Sequence, residues 1–233
     1  MRCIGIIGAM EVEVSSLKQH MDNMKITRRA SMEFCEGIIE DKKVIVVRSG
    51  IGKVNAAVCT QILIDEFHVD AVINTGIAGS LNADINIGDI VLSTDLIQHD
   101  MNAVAFGYPI GQIPQMEEFS FKSDDALRAL AANACKAVNS DIEVFEGRIA
   151  SGDQFVADQN TKDFIVKNFQ AYAVEMEGAA IAQTAYLNDV PFLVIRAISD
   201  KADGSAEMDY PTFEAQAAEH SFRLTYRMIC DMQ

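Results

Sequence analysis

The sequence predicts an α/β fold: a mainly parallel, buried sheet with helices outside it. Apolar runs of strand length alternate with longer helical patterns along the 233 residues, which is the signature of a covered parallel sheet. The composition agrees. Hydrophobic residues make up 49% and charged residues 23%, enough to fill a large core and too apolar for a disordered chain. The length fits one domain better than two.

The elements follow in order. Met1 to Ala9 is apolar but short, and Glu11 and Glu13 come at once after it. It reads as a first buried strand, Cys3–Gly8, and not as a signal peptide or membrane span. A helix follows near Glu11–His20. The short strands near Lys25–Ala30, Glu33–Ile39 and Val44–Ser49 read as an antiparallel meander added to the sheet. Next come a helix near Val54–Phe67 and strands near Ala71–Thr75 and Ile90–Gln98. Met101 to Ser120 contains Gly and Pro but no long periodic run, and is the most loop-like part. The second half reads as helix Asp124–Ala137, strand Glu143–Ser151, helix Thr161–Asn168, strand Tyr172–Glu175, helix Glu177–Asn188, strand Phe192–Ser199 and helix Thr212–Asp231. Pro211 suits the start of that last helix, where its missing N–H is not needed.

Charge narrows the function. Lys and Arg total 19 against 34 Asp and Glu, a net charge of −15. That argues against a nucleic-acid binder, which needs a basic stripe, and against a ligand of anionic membranes. Five scattered cysteines, none at C-x-x-C spacing, suit reduced thiols in a cytoplasmic protein. The four histidines show no paired spacing, so no metal is implied.

Six short motifs follow predicted strands: Gly8-Ala-Met-Glu-Val-Glu13, Ser49-Gly-Ile-Gly-Lys53, Asn74-Thr-Gly-Ile-Ala-Gly-Ser80, Ser151-Gly-Asp-Gln-Phe155, Val174-Glu-Met-Glu177 and Ala197-Ile-Ser-Asp200. In α/β sheets ligands bind beyond the carboxyl ends of strands, where each of these falls. One such motif is a turn; six together point to a site. Gly52-Lys53 lacks the glycine and the hydroxyl of a phosphate-binding loop, and Gly5 and Gly8 lack the dinucleotide spacing. Glu13, taken alone, is an acid favoured at a helix start. Asp200 ends a near-continuous apolar strand, where partial desolvation favours the neutral acid and suits a proton donor. Arg196 lies in the same strand and needs an acidic partner, for which Glu13 and Glu177 are the candidates.

These motifs resemble those of the bacterial 5′-methylthioadenosine/S-adenosylhomocysteine nucleosidases, within the nucleoside phosphorylase superfamily. The likeness runs from Ile4-Gly-Ile-Ile-Gly-Ala-Met-Glu to the final helix, and Val174-Glu-Met-Glu with Arg196-Ala-Ile-Ser-Asp is its most specific part. It implies one nucleoside phosphorylase-like domain over 1–233, a Rossmann-like three-layer sandwich with a mixed, mainly parallel central sheet, a homodimer and no cofactor. It implies hydrolysis of the N-glycosidic bond of methylthioadenosine and adenosylhomocysteine, with release of adenine. By motif, Glu13 would activate water, and Asp200, oriented by Ser199, would protonate N7 of the leaving adenine. Arg196 would belong to the same catalytic group. Glu177 and the Met176 backbone would hold the ribose hydroxyls, supported by Glu175. Phe155 would stack on adenine and the Val156 backbone would read its edge. Met10, Ile51, Ala78 and Gly79 would line the pocket, and Tyr210 would close over the 5′ side. Phe106 and Tyr108 would reach into the neighbouring subunit's 5′-thio pocket. Three positions depart from the family pattern: Ile77 and Ser80 in Thr75-Gly-Ile-Ala-Gly-Ser80, where Thr-Gly-Ser-Ala-Gly-Gly is common, and Tyr210, where Phe is frequent.

The chemistry suits these residues in its own right. Departure of a base from ribose builds positive charge on the sugar, which nearby carboxylates stabilise, and a proton donor makes the purine a neutral leaving group. Three rivals stay open. A phosphorylase of the same fold would need basic groups converging at the Gly8 and Gly76 turns. A nucleosidase for 5′-deoxyadenosine or aminodeoxyfutalosine would share the site. A binding module sensing purine nucleosides would keep the pocket without the acid and the base.

Overall fold

The first strand explains most of the architecture. β1 (Cys3–Gly8) is buried along its whole length and pairs in parallel with β4 (Lys42–Arg48) on one side and β5 (Ala71–Ser80) on the other. Its side chains alternate, so Ile4 and Ile6 face one helix layer while Ile7 faces the other. The computed structural model describes residues 3–201 and 206–232, with backbone alone for 206–212.

Helices α2 (Lys53–Phe67) and α5 (Gly178–Leu187) cover one face through Ala56, Cys59, Leu63, Ile181 and Ala185. Helices α1 (Glu11–Gln19), α3 (Asp125–Val138) and α6 (Ala206–Asp231) cover the other through Val14, Leu17, Leu127, Ala131, Leu224 and Met228. Each such buried aliphatic side chain contributes roughly 1.5–3 kcal/mol. The remaining helix, α4 (Gln159–Phe169), packs Ile165 and Phe169 into a smaller cluster with Ile97, Ala150 and Val174.

The remaining strands are β2 (Asp22–Arg29), β3 (Met32–Ile39), β6 (Ile90–Gln98), β7 (Phe121–Lys122), β8 (Val144–Ser151), β9 (Ala173–Glu175) and β10 (Phe192–Asp200). The order is β10-β6-β8-β9-β5-β1-β4-β3-β2, with β7 on β6. β2–β4 form the expected antiparallel meander.

Two expectations about the sheet are corrected. It is not mainly parallel: among the described residues, five of the ten strand pairings are antiparallel. It is also not an open layer, because β5 pairs with β10 as well as with β1 and β9, so that β5, β10, β6, β8 and β9 close into a ring. The cause is the length of β5. It does not stop at Thr75 but runs on to Ser80, pairing with β10 through Gly79 and with β9 at Gly79 and Ser80. The Asn74–Ser80 motif therefore lies inside a strand and not after one.

A third correction concerns the last helix, which begins at Ala206 and contains Pro211 in its second turn. Ala206, Glu207 and Met208 are good helix formers and carry the start upstream. Met101–Ser120 is mostly irregular, with one short 3₁₀ turn at Val104–Phe106.

Candidate active site

β1, β5, β9 and β10 deliver their carboxyl ends to one cleft of about 530 Å³, within the size range of small-molecule sites. Glu13, Met10, Ile51, Ala78, Gly79, Phe155, Glu175, Met176, Glu177, Ser199 and Asp200 all line it. Ala9, Ile77 and Val174 complete the wall. Val156 lies in a small recess continuous in its lining with Phe155, Met176 and Asp200. Arg196 is not on the surface of the cleft but directly beneath it. Phe106 and Tyr108 do not line their own chain's cleft, and Phe106 is 85% exposed. The side chain of Tyr210 lies outside the described residues.

Glu13 is the third residue of α1 and does two jobs. Its Oε2 accepts the Met10 N–H at 2.9 Å, which caps the helix, and its Oε1 accepts the Ile77 N–H from β5 at 3.1 Å. Only a glycine fits opposite: a Cβ on Gly76 would lie 2.5 Å from Glu13 Oε1. Burial pushes the Glu13 carboxyl above its ordinary range, and the Arg196 charge and three backbone N–H groups oppose that shift.

Arg196 finds its partner in Glu175, not in Glu13 or Glu177 as the sequence suggested. Its guanidinium bonds the Glu175 carboxylate and the Asn74 side-chain oxygen, and Nη1 donates to the Ile195 carbonyl at 3.1 Å. The strand register decides this, since β5 pairs with both β10, which carries Arg196, and β9, which ends at Glu175. Burial disfavours the Arg196 charge, but Glu175, Glu13 and Glu177 outweigh it and hold its pKa above the usual value. Glu175 also accepts from the Ser151 hydroxyl and from the Glu177 and Gly178 N–H groups at 3.1 and 2.7 Å. Every one of these bonds anchors Glu175, so it supports the site from below.

Glu177 stands at the N-terminal cap position of α5, but its side chain turns away from the helix toward Gly52. Its Oε1 accepts the Gly52 N–H at 2.8 Å. Gly52 has φ +97°, a conformation glycine adopts without strain, and this aims its N–H at the carboxylate. Burial, with Glu175 close by, pushes Glu177 up to about 7, while Arg196 pulls the other way.

Asp200 ends β10 after a bulge between Ile198 and Asp200. Its Oδ1 accepts the Ser199 hydroxyl at 3.0 Å, as expected. Sequence reasoning missed the cation beside it. Lys162 on α4 is buried, with Nζ 3.6 Å from Asp200 Oδ2. A lysine on a short helix 38 positions upstream gives no signal of that kind. Ser151, Asn74 and Gly52 lay inside the quoted motifs, yet their roles needed the strand register. Among the described residues no group of three or more His, Cys, Asp or Glu side chains is placed to hold a metal ion.

The cleft therefore brings together three buried carboxyl groups, Glu13 near the start of α1, Glu177 before α5 and Asp200 at the end of β10. The sequence pattern that defines the phosphorylase superfamily matches residues 3–229. The chain belongs to the phosphorylase superfamily. Within it, a 5′-methylthioadenosine/S-adenosylhomocysteine nucleosidase of Bacillus pumilus is 45% identical over 231 residues, covering 99% of both chains. The Neisseria meningitidis nucleosidase of the same description, crystallised with methylthio-immucillin-A, superposes with TM-score 0.95 at 39% identity, covering 100% of both chains. A futalosine hydrolase of Helicobacter pylori superposes with TM-score 0.93 at 36% identity, covering 99% of this chain and 98% of that one.

Proposed function

We propose that this superfamily member hydrolyses the N-glycosidic bond of 5′-methylthioadenosine and S-adenosylhomocysteine, releasing adenine and the 5-thioribose product. The observation that carries the reading is one cleft lined by both Glu13 and Asp200, with Glu177 beside them. Glu13 takes a proton from water as the water oxygen attacks C1′. The C1′–N9 bond breaks, its electron pair goes to the purine, and the Asp200 proton goes to N7. Glu177 and the Met176 backbone hold the ribose hydroxyls while positive charge grows on the sugar. Phe155 stacks on the base and the Val156 backbone reads its edge. Proton exchange with solvent returns Glu13 and Asp200 to their starting states, and every step uses this chain's own residues and water.

The arrangement favours hydrolysis over phosphorolysis, since the described residues lining the cleft include no Arg or Lys to clamp phosphate. 5′-Deoxyadenosine offers the same groups to the site and is a further substrate. The exposed Phe106, with Ile51 and Val54 also exposed, supports a homodimer in which Phe106 and Tyr108 enter the neighbouring 5′ pocket. Five free cysteines suit a cytoplasmic location. Among the described residues no helix is long and apolar enough to cross a membrane.

Adenine release from methylthioadenosine in phosphate-free buffer tests the reading. Release without phosphate is the expected result. Release only when phosphate is added means a phosphorylase, and tight binding without release means a sensing module.

A further inference from the structure

We propose that Lys162 is a positioning residue for Asp200, holding its carboxyl group in place for proton transfer to the leaving purine. The inference rests on the nucleosidase reading above. Lys162 is 1% exposed, and burying an ammonium group is costly unless it is paired and hydrogen-bonded. Its Nζ lies 3.6 Å from Asp200 Oδ2 and donates to the Lys201 carbonyl at 2.7 Å. One side chain thus reaches from α4 to the carboxyl group at the end of β10 and to the backbone of the next residue.

The surroundings of Asp200 fit that role. Oδ1 accepts the Ser199 hydroxyl at 3.0 Å, and Oδ2 faces Lys162. Gly79 forms a close wall, where a Cβ would come within 2.8 Å of Oδ2. Serine, lysine and the bare backbone of β5 hold the carboxyl group in a single orientation at the cleft. When Asp200 gives its proton to N7, the electron pair of the O–H bond stays on the carboxylate. A fixed cation is already beside the charge that forms, so no reorganisation is needed at that moment. Lys162 gives no proton to the purine. Its effect passes through Asp200, because it lines a different surface recess with Leu81, Gln159 and Val166 and not the substrate cleft.

The test compares full-length wild type, Lys162→Met and Lys162→Arg, each with Asp200 intact and with Asp200→Asn. The readouts are kcat and KM for methylthioadenosine and calorimetric affinity for adenine. With Asp200 present, Lys162→Met should lower kcat by about 30-fold or more while KM moves less than about threefold, the scale of a misplaced catalytic group. Lys162→Arg should recover most of that loss. With Asp200→Asn, the methionine should cost less than about twofold in kcat and in adenine affinity, because the carboxylate it serves is gone. Wild-type or faster turnover in a folded Lys162→Met variant overturns the proposal. Equal losses on both backgrounds overturn it too, since Lys162 would then support the helix alone. Should the methionine variant fail to fold, Lys162→Gln is judged by the same two criteria. Absence of adenine release by wild type would instead sink the nucleosidase reading. The adenine affinities of the six proteins would still decide the role of Lys162: a loss for Lys162→Met with Asp200 present and none with Asp200→Asn supports it, and equal losses overturn it.

Discussion

Glu13 Oε1 accepts the Ile77 N–H at 3.1 Å, so the Glu13 carboxyl group is aimed by the backbone at position 77 and not by its side chain. The hydroxyl that the family pattern would place at 77 is therefore not needed to orient Glu13. The Ile77 side chain packs into the core beside Val14 and Ile73. Ile77→Ser keeps the N–H, and turnover should stay the same or rise. Its melting temperature should fall, since removing a buried Ile side chain costs about 2–5 kcal/mol. Glu13→Gln should abolish turnover and leave calorimetric nucleoside affinity nearly intact. A folded Ile77→Ser variant that loses most turnover would show that the Ile77 side chain shapes the cleft.

Asp200→Asn is nearly isosteric and keeps the Ser199 contact to Oδ1, so the variant should still fold, but it leaves the buried Lys162 ammonium without its carboxylate and should melt lower than wild type. Turnover should drop on the order of a hundredfold or more, the usual scale for general acid catalysis. Near-normal steady-state kinetics in the folded Asn variant would remove Asp200 from the acid role.

Glu177 makes stability depend on pH. Its folded-state pKa of about 7 lies above the ordinary carboxylate value. The native state therefore binds the Glu177 proton more tightly than the unfolded chain does. The stability from that proton is fully present below about pH 4 and is lost as pH rises through 7. Glu177→Gln removes this slope. Its melting temperature relative to wild type should rise between pH 5 and pH 8, by on the order of 1–3 kcal/mol in stability. A difference that stays flat over that range would contradict the burial argument.

The elements were largely legible in the sequence. Strand Cys3–Gly8 and strand Ile90–Gln98 matched to the residue, because apolar runs bounded by Gly or polar residues leave little freedom. The closure of the sheet was not legible. Nothing local in Gly76-Ile-Ala-Gly79 says that the strand continues, since the pairing that extends it comes from β10, more than a hundred residues later. The site followed the same division. The acids at strand ends could be read from position, whereas the partner of Arg196 depended on which strand end lay nearest. Lys162 was invisible, because a lysine on an amphipathic helix ordinarily faces water.

Phe106 tests the homodimer. It is 85% exposed on a 3₁₀ turn followed by Gly107 with φ +84°. Phe106→Ala should raise KM for adenosylhomocysteine and methylthioadenosine while the affinity for adenine barely changes. Sedimentation under assay conditions should show a dimer. A fully active monomer would contradict the shared pocket.

The most direct test of the whole account is hydrolysis of methylthioadenosine in ¹⁸O-enriched water with millimolar phosphate present. If Glu13 activates water against C1′, the product is free 5-methylthioribose carrying one ¹⁸O at the anomeric carbon, with one adenine released per sugar. A sugar 1-phosphate without the label would show that phosphate, not water, is the nucleophile in this cleft, and the assignment of Glu13 would fall with it.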